Sequence, residues 1–320
     1  FDSIETPTET RDRVLGGSAV YFSYAASYFS KVRLVSVVGE DWPAEYTKLL
    51  QSRDIDTQGL SVTPGGKTFS WKGKYLSNMN DRETLEVHLN VFGDFNPVLP
   101  DEYRRSHFVF LANGAPAVQT KVLDQVIGPR LVMADTMDLW IREFRDELLA
   151  LMRRVDGLVM NDSEAKLLTD DENLVRAGHK ICKMGPKFVV IKKGEHGAMF
   201  FSEHETYVLP AFPTDKVVDP TGAGDSFAGG MLAGLHYGLD AVGAARMGNA
   251  AGALSTGTVG AVAGLLPLDA TSNAQDPKKD AHLRIVRRSK PHGRQGNAHR
   301  IVQRFDLLSA HGPRTVHCEH

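Results

Sequence analysis

Five short, almost continuous apolar runs recur through the chain and are separated by longer amphipathic stretches. The runs occupy residues 32–38, 108–112, 131–134, 157–160 and 188–191. Strands that are buried on both faces have this pattern, as in a parallel sheet covered by helices. Helical spacing of apolar residues marks the stretches between them, at 42–53, 118–127, 139–154 and 174–184. The alternation predicts an α/β fold with a doubly wound, mostly parallel sheet.

Residues 62–95 interrupt this alternation. A Gly-Gly pair at 65–66 is followed by mixed polar and apolar residues to position 75, and partial alternation returns at 85–92. The pattern predicts a small antiparallel β flap inserted into the α/β body. Open parallel sheets bind ligands beyond the carboxyl ends of their strands, so a flap there could act as a lid that excludes water. A surface hairpin without a functional role is the alternative.

Composition limits the class of protein. The 320 residues are 42% hydrophobic and 24% charged, which is typical of a globular chain and excludes collagen and a coiled coil. Two cysteines, Cys182 and Cys318, are too few for a disulfide framework or a four-cysteine zinc site. No run of 18 apolar residues and no secretion signal are visible, so we expect a cytoplasmic protein without a membrane partner.

The last fifty residues differ from the rest. Residues 271–320 carry 10 Lys and Arg side chains against 4 Asp and Glu, with little apolar periodicity. A basic tail can bind nucleic acid, but here no interleaved aromatic residues or recognition motif support that partner. We therefore expect residues 1–270 to form the folded domain and residues 271–320 to be a disordered or non-native extension.

The strongest chemical signal is the sequence VVDPTGAGDSFAGG at positions 217–230. A helix of small residues begins near Gly222, and the amides of Gly222, Ala223 and Gly224 are expected to face an anion. A carboxylate at Asp225 would repel that anion unless it accepts a proton from a hydroxyl that attacks phosphorus. The pattern predicts phosphoryl transfer, with Asp225 as general base and the three amides as an anion hole. The alternative is that Asp225 only caps the helix.

This string resembles the carboxy-terminal signature of the ribokinase/PfkB family of carbohydrate kinases, and other motifs match in the same chain order over about residues 1–268. The resemblance implies a ribokinase-like fold and an ATP-dependent kinase that phosphorylates an alcohol of a sugar or related polyol. Asp2 resembles the family's early acidic residue that binds sugar hydroxyls, and Gly16-Gly17 resembles its di-glycine turn at the substrate. Glycines at a helix start also let amides face a ligand on physical grounds alone.

On the nucleotide side, Asn161 and Glu164 fit the family's Asn-x-x-Glu motif, which is associated with Mg²⁺ and the nucleotide phosphates. Oxygen side chains suit Mg²⁺, although a helix-capping arrangement is the alternative. The resemblance also implies an ATP site at Lys192, Gly194 and Gly197, and an adenine contact at Asn249. For Asp219 it implies a monovalent cation such as K⁺; a turn residue before Pro220 is the alternative.

Four questions stay open at this point. The acceptor could be a sugar, a phosphorylated sugar near Lys67, Lys72 and Lys74, or a nucleoside on an aromatic shelf of Tyr21, Phe69 and Trp71. A non-catalytic nucleotide- or sugar-binding relative is the second class. A homodimer through the flap is permitted by its aromatic residues. We also expect that a first strand leading into Asp2 is missing.

Overall fold

The computed structural model describes residues 1–257 and 259–260, so the basic tail lies outside the described residues. The largest sheet has six strands. In spatial order they are β12 (Thr206–Leu209), β11 (Ala198–Ser202), β10 (Phe188–Lys192), β9 (Gly157–Asn161), β8 (Leu131–Asp135) and β7 (Phe108–Leu111). β7 to β10 pair in parallel, whereas β11 and β12 are antiparallel. The four parallel strands coincide with four of the apolar runs.

Both faces of this sheet are covered, because successive side chains of a strand point to opposite faces. In β9, Leu158 and Met160 join the core on one face, and Val159 joins the core on the other. The first core is completed by α3 (Pro116–Leu123), α5 (Arg145–Met152), α6 (Asp162–Thr169) and α7 (Leu174–Lys183). The second is completed by α8 (Ala223–His236) and α9 (Ala241–Ser255). The predicted doubly wound α/β class is confirmed.

A separate two-stranded sheet pairs β3 (Val32–Gly39) in parallel with β4 (Ile55–Thr63). Helices α1 (Ser18–Ser27) and α2 (Ala44–Gln51) supply the side chains of its own small core. Between β3 and β7 lies a cavity of about 850 Å³ that is lined by side chains of both strands and of α1. The strand expected ahead of Asp2 stays a prediction.

The flap is a third sheet, with strands in the order β2 (Thr10–Val14), β1 (Asp2–Glu5), β5 (Ser70–Tyr75) and β6 (Arg82–His88). β5 and β6 are antiparallel, as the sequence pattern indicates, but β4 extends to Thr63, so this hairpin begins at Ser70 and not at residue 62. β1 joins this sheet in parallel with β5, an arrangement that the sequence pattern did not predict. β6 is an exposed edge strand; a dimer through it stays a prediction.

One predicted helix is divided. The stretch 139–154 contains α4 (Asp138–Glu143) and α5, with Phe144 between them at φ −132° and ψ 41°. These angles lie outside the helical region, so the hydrogen-bond ladder stops there and restarts. Among the described residues, no helix has the length and apolar character needed to cross a bilayer.

Candidate active site

The glycine turn at the start of α8 lies beyond the carboxyl ends of β8 to β10. Gly222 is the N-cap with φ 73°, a left-handed conformation that favours glycine. The ring of Tyr21 packs against it so closely that a Cβ at this position would lie 2.1 Å from Cδ1. The Ala223 amide donates to the Pro220 carbonyl, 3.1 Å away, so the turn itself uses one of the three predicted donors. The amides of Gly222 and Gly224 have no hydrogen-bond partner within residues 1–257 and 259–260.

Asp225 lies in the first turn of α8 and accepts a hydrogen bond from the Ser18 hydroxyl. Burial and the negative charge of Asp135 raise the pKa of Asp225 to about 6, against the opposing effects of Lys192 and of Ser18. A carboxylate with a pKa in this range is ionised at neutral pH and still basic enough to take a proton. The position and the pKa therefore suit a general base.

Lys192, the last residue of β10, lies against the glycine turn. A Cβ at Gly224 would lie 2.7 Å from Lys192 Nζ. The ammonium is 3.4 Å from Oδ2 of Asp135, the last residue of β8, and both side chains are largely buried. Burial alone would lower the pKa of Lys192, but the carboxylates of Asp135, Glu164 and Asp225 outweigh it and the pKa is raised. The cation beside the turn is thus held in its charged form.

Asn161 and Glu164 form a capping box at the start of α6. Glu164 N donates to Asn161 Oδ1 at 2.7 Å, and Asn161 N donates to Glu164 Oε2 at 2.8 Å. The helix-capping alternative therefore describes part of what these residues do. Burial and the charge of Asp135 raise the pKa of Glu164 to about 7, so this carboxyl group is available to a cation that can displace its proton.

On the other side of the turn, Asp2 is buried on β1 and accepts a hydrogen bond from Gly17 N, 3.1 Å from its Oδ2. Gly16 approaches the same carboxylate so closely that a Cβ would lie 2.0 Å from Oδ2. Burial raises the pKa of Asp2, and its charge acts on Asp225. The structure thus brings Asp2, Gly16 and Gly17 together, next to the predicted base.

The remaining predicted nucleotide residues lie farther along the same edge. Gly194 opens a short 3₁₀ turn, and Gly197 closes it against the Leu209 carbonyl. Asn249 on α9 donates from Nδ2 to the Pro210 carbonyl at 2.8 Å. Near this segment, a cavity of about 480 Å³ is lined by residues 212–215 together with Ala253 and Leu254.

Asp219 is buried just before the glycine turn. Its Oδ1 accepts from Thr221 N at 2.8 Å, and its Oδ2 accepts from Gly260 N at 3.3 Å. These are the hydrogen bonds expected of a turn residue before Pro220, which was the alternative to a cation site at Asp219. In the described part of the chain, no group of three or more His, Cys, Asp or Glu side chains is arranged to hold a metal ion.

The flap reaches across the site. The Thr221 hydroxyl donates to the hydroxyl of Tyr75 on β5 at 3.2 Å. Arg82 on β6 lies opposite Tyr75 in the hairpin, and its charge acts on both Tyr75 and Glu164. The tip of the β5–β6 hairpin places Asn80 against Gly194. The flap thus contacts both the glycine turn and the expected nucleotide side.

Sequence reasoning missed three of these residues. Asp135 directly follows the apolar run 131–134, and a carboxylate at a strand's carboxyl end is a signal that could have found it. Arg82 was missed because it lies in a flap of mixed polar and apolar residues, where one charged side chain gives no distinct signal. The role of Ser18 gave no signal in the sequence, because its contact with Asp225 joins positions 207 residues apart.

Comparison with protein families gives a match along most of the chain. The model of the pfkB family carbohydrate kinases matches residues 6–268. The cytidine kinase of Thermococcus kodakarensis is 31% identical over 254 residues, which cover 78% of this chain and 90% of that enzyme. The inositol 3-kinase of Arabidopsis thaliana is 28% identical over 262 residues, which cover 77% of this chain and 68% of that enzyme.

Solved structures agree at the level of the fold. A nucleoside kinase of Burkholderia thailandensis in complex with inosine superposes with a TM-score of 0.70 and 21% identity, covering 81% of this chain and 89% of that one. A nucleoside kinase of Methanocaldococcus jannaschii, described as an archaeal member of the ribokinase family, gives 0.67 and 20%, covering 82% and 90%. The family match decides the assignment: the chain belongs to the pfkB family of carbohydrate kinases, which are ATP-dependent kinases of small molecules.

Proposed function

We propose that this chain transfers the γ-phosphoryl group of ATP to a hydroxyl of a sugar or of the sugar part of a nucleoside, with Asp225 as the general base. The observation that carries the proposal is the grouping at the start of α8. A carboxylate with a pKa of about 6 lies beside two amides without partners in the described chain and beside the Lys192 ammonium. A carboxylate, a cation and amide donors in one place fit proton removal from a hydroxyl beside a group that gains negative charge.

The proposed reaction moves one proton and one phosphoryl group. Asp225 takes the proton of the acceptor hydroxyl as the acceptor oxygen forms its bond to the γ-phosphorus. The bond from that phosphorus to the β,γ-bridging oxygen breaks, and ADP leaves with the bond's electron pair. Gly222 N, Gly224 N and Lys192 Nζ stabilise the charge on the phosphoryl oxygens. The charge of Lys192 is secured by Asp135, as the buried pair indicates.

The acceptor side consists of Asp2, Gly16 and Gly17 in this proposal. Asp2 uses Oδ2 for the Gly17 amide. A buried carboxylate is a strong acceptor for hydroxyl groups, so Asp2 would fix the ring of a sugar while a neighbouring hydroxyl faces Asp225. The flap, through Tyr75 and Arg82, would close over the bound acceptor and limit transfer to water.

The nucleotide would extend from the glycine turn toward α9. Lys192 and the turn at Gly194–His196 border the phosphates, and the cavity near Asn249 has room for the adenine ring. Mg²⁺ would be held at Glu164, through water, and beside Asn161; it supplies charge neutralisation of the phosphates. The buried carboxyl of Glu164 fits this ion, since a cation nearby favours its ionised form. A monovalent cation such as K⁺ at Asp219 belongs to the same proposal.

A specific observation favours a nucleoside as acceptor over a phosphorylated sugar. The rings of Phe69, Phe92 and Phe95 form an aromatic group, with centroids 6.0 Å apart in each neighbouring pair, and Phe92 contacts Gly114 near the site. A base can stack on such rings. Of the candidate lysines, Lys72 is paired with Glu5 at 3.2 Å and is not directed to an acceptor phosphate. The names of several relatives, cytidine kinase among them, point the same way.

The test is a coupled ADP assay with ribose, fructose, fructose 6-phosphate, adenosine and cytidine as acceptors. Asp225→Asn is expected to fold normally and to lose kcat by about 10²- to 10⁴-fold, the contribution of a general base. Asp240→Asn is the matched control, because Asp240 caps α9 and asparagine caps a helix equally well. Near-normal turnover of Asp225→Asn on its best acceptor would overturn the assignment of the base.

A further inference from the structure

We propose that Ser18 is a positioning residue for the transfer reaction: its hydroxyl fixes one oxygen of the Asp225 carboxylate, so that the other oxygen faces the acceptor. The inference rests on the proposed role of Asp225 as general base. Ser18 is the first residue of α1, and it follows the left-handed Gly17 at φ 93°. From there its side chain bridges to the first turn of α8, where Oγ donates to Asp225 Oδ1.

The direction of this hydrogen bond is fixed by a second contact. Ser18 Oγ accepts from Asn113 N at 3.2 Å. A backbone N–H can only donate, so the hydroxyl proton of Ser18 is left to point at Asp225. The Ser18–Asp225 bond therefore has a donor hydroxyl and an accepting carboxylate, and it favours the ionised form that a base needs.

Asn113 is itself held in place from the large sheet. It follows β7 by two residues, and its Oδ1 accepts from Nε1 of the buried Trp140 on α4 at 2.9 Å. Trp140, Asn113, Ser18 and Asp225 thus form a continuous hydrogen-bonded chain. Because the far end is anchored by a buried indole, the Ser18 hydroxyl has little freedom to turn away from Asp225.

Engagement of Oδ1 determines which oxygen serves the reaction. No hydrogen bond to Asp225 Oδ2 is found within residues 1–257 and 259–260. A carboxylate held at one oxygen cannot rotate freely, so Oδ2 keeps a fixed position for the acceptor hydroxyl. Orientation of this kind removes an entropic part of the barrier.

The groups around Asp225 explain why the hydrogen bond from Ser18 matters for its ionised form. Asp135 from β8 and Asp2 from β1 face Asp225 and disfavour its charge, as does burial. Lys192 from β10 and Ser18 from α1 favour it, and the phenol of Tyr21 on α1 is also near. Lys192 is the one cation among these neighbours, and the hydrogen bond donated by Ser18 acts with it to keep the base ionised.

The kinetic test compares Ser18→Ala with Ser18→Thr, which keeps a hydroxyl. Ser18→Ala is expected to lose about tenfold in kcat at pH 7, with the acid limb of the kcat profile moved about one pH unit upward, since a hydrogen bond to a charged group is removed. The protonation of ATP itself contributes equally to the pH profile of every variant, so a difference between the profiles comes from the protein. Ser18→Thr is expected to restore both. Ser27→Ala is the matched control, because that hydroxyl donates to Tyr24 O within α1.

A second measurement needs no activity. Nuclear magnetic resonance of protein labelled with ¹³C-carboxyl aspartate follows the titration of Asp225 directly, with Asp225→Asn to assign the signal. The pKa of Asp225 is expected to rise in Ser18→Ala and to return in Ser18→Thr. If Ser18→Ala folds poorly, Ser18→Cys keeps the volume with a weaker donor and is expected to raise the pKa as well.

An unchanged pKa of Asp225 in Ser18→Ala overturns the proposal, and so does a kcat loss without movement of the acid limb. The two failures are separable: if the wild-type protein phosphorylates no acceptor, the proposed function fails, whereas the resonance titration still decides whether Ser18 sets the state of Asp225.

Discussion

The proposed nucleotide side and the proposed acceptor side of the site are held by different parts of the fold. On the nucleotide side, Asp135, Asn161 and Lys192 end three neighbouring strands of one sheet, which are hydrogen-bonded in register. On the acceptor side, Asp2 belongs to the flap sheet and Gly17 begins a helix that packs on β3 and β4. The sheet is interrupted there by the cavity of about 850 Å³ between β3 and β7.

This difference indicates how each side is held in position. Hydrogen-bonded strand ladders position Asp135, Asn161 and Lys192, the residues proposed to lie beside the phosphates. The acceptor groups are aligned instead by contacts that α1 makes with α8, such as the packing of Phe22 O on Gly229 and of Tyr21 on Gly222. Changes of the proposed phosphate-binding groups should therefore affect kcat most, and changes of the proposed acceptor-binding residues Asp2, Gly16 and Gly17 should affect KM for the acceptor.

Among changes that compare the two sides, the largest effect is expected for Lys192→Met, which removes the cation beside the turn and leaves Asp135 without its buried partner. We expect kcat to fall about 100-fold or more, as when a single stabilising donor is removed from an active site. Lys187→Met is the control, because Lys187 precedes β10 but forms an exposed pair with Asp156. Steady-state assays at saturating ATP measure it; a fall confined to KM for the acceptor would contradict the division between the two sides.

An intermediate effect is expected for Asp2→Asn on the acceptor side. Loss of the charge weakens hydrogen bonds to acceptor hydroxyls, and we expect KM for the acceptor to rise about 10- to 100-fold. Asp12→Asn in the same flap sheet is the control, since Asp12 is exposed and accepts from the Ser3 hydroxyl. Acceptor titrations at fixed ATP give the answer. A kcat loss with unchanged KM would assign Asp2 to the transfer step instead.

The smallest effect concerns the cavity itself. A five-residue apolar peptide in extended conformation could pair with the facing edges of β3 and β7 and bury its side chains. At ten times its Kd, such a ligand stabilises the folded state by about 1.4 kcal/mol, a rise in Tm of a few degrees. A peptide with proline at its centre is the control, because it lacks one N–H. Equal shifts with both peptides, or none, would show that the two strands do not accept a neighbour.

Much of the fold was predictable because burial on both faces leaves an unbroken apolar run in the sequence. The runs at 157–160 and 188–191 became β9 and β10 with a shift of one residue at the end. β2 was not predictable, since its residues TRDRV are polar and mostly exposed and carry no such signal. The break at Phe144 also escaped notice, because helical spacing continues on both sides of it.

The candidate site, like the fold, was predictable only where its residues form one local sequence pattern. Gly222 and Asp225 could be recognised because the turn and its helix are contiguous in sequence. Lys192 was expected at the ATP site, but its position beside Asp225 was not predictable. Ser18, Asp135 and Lys192 come from distant elements that meet only in the folded chain. Periodicity describes one element at a time and carries no information on such meetings.

The pairing of β1 with β5 has a mechanical consequence. Because Asp2 is on β1, the carboxylate expected to bind the acceptor belongs to the same sheet as the β5–β6 hairpin of the flap. A rigid swing of that sheet would draw Asp2 away from Gly17 as it uncovers the cleft. Release of the hydroxyl groups by Asp2 and opening of the site would then be one movement. The same movement would release the phosphorylated product and admit the next acceptor.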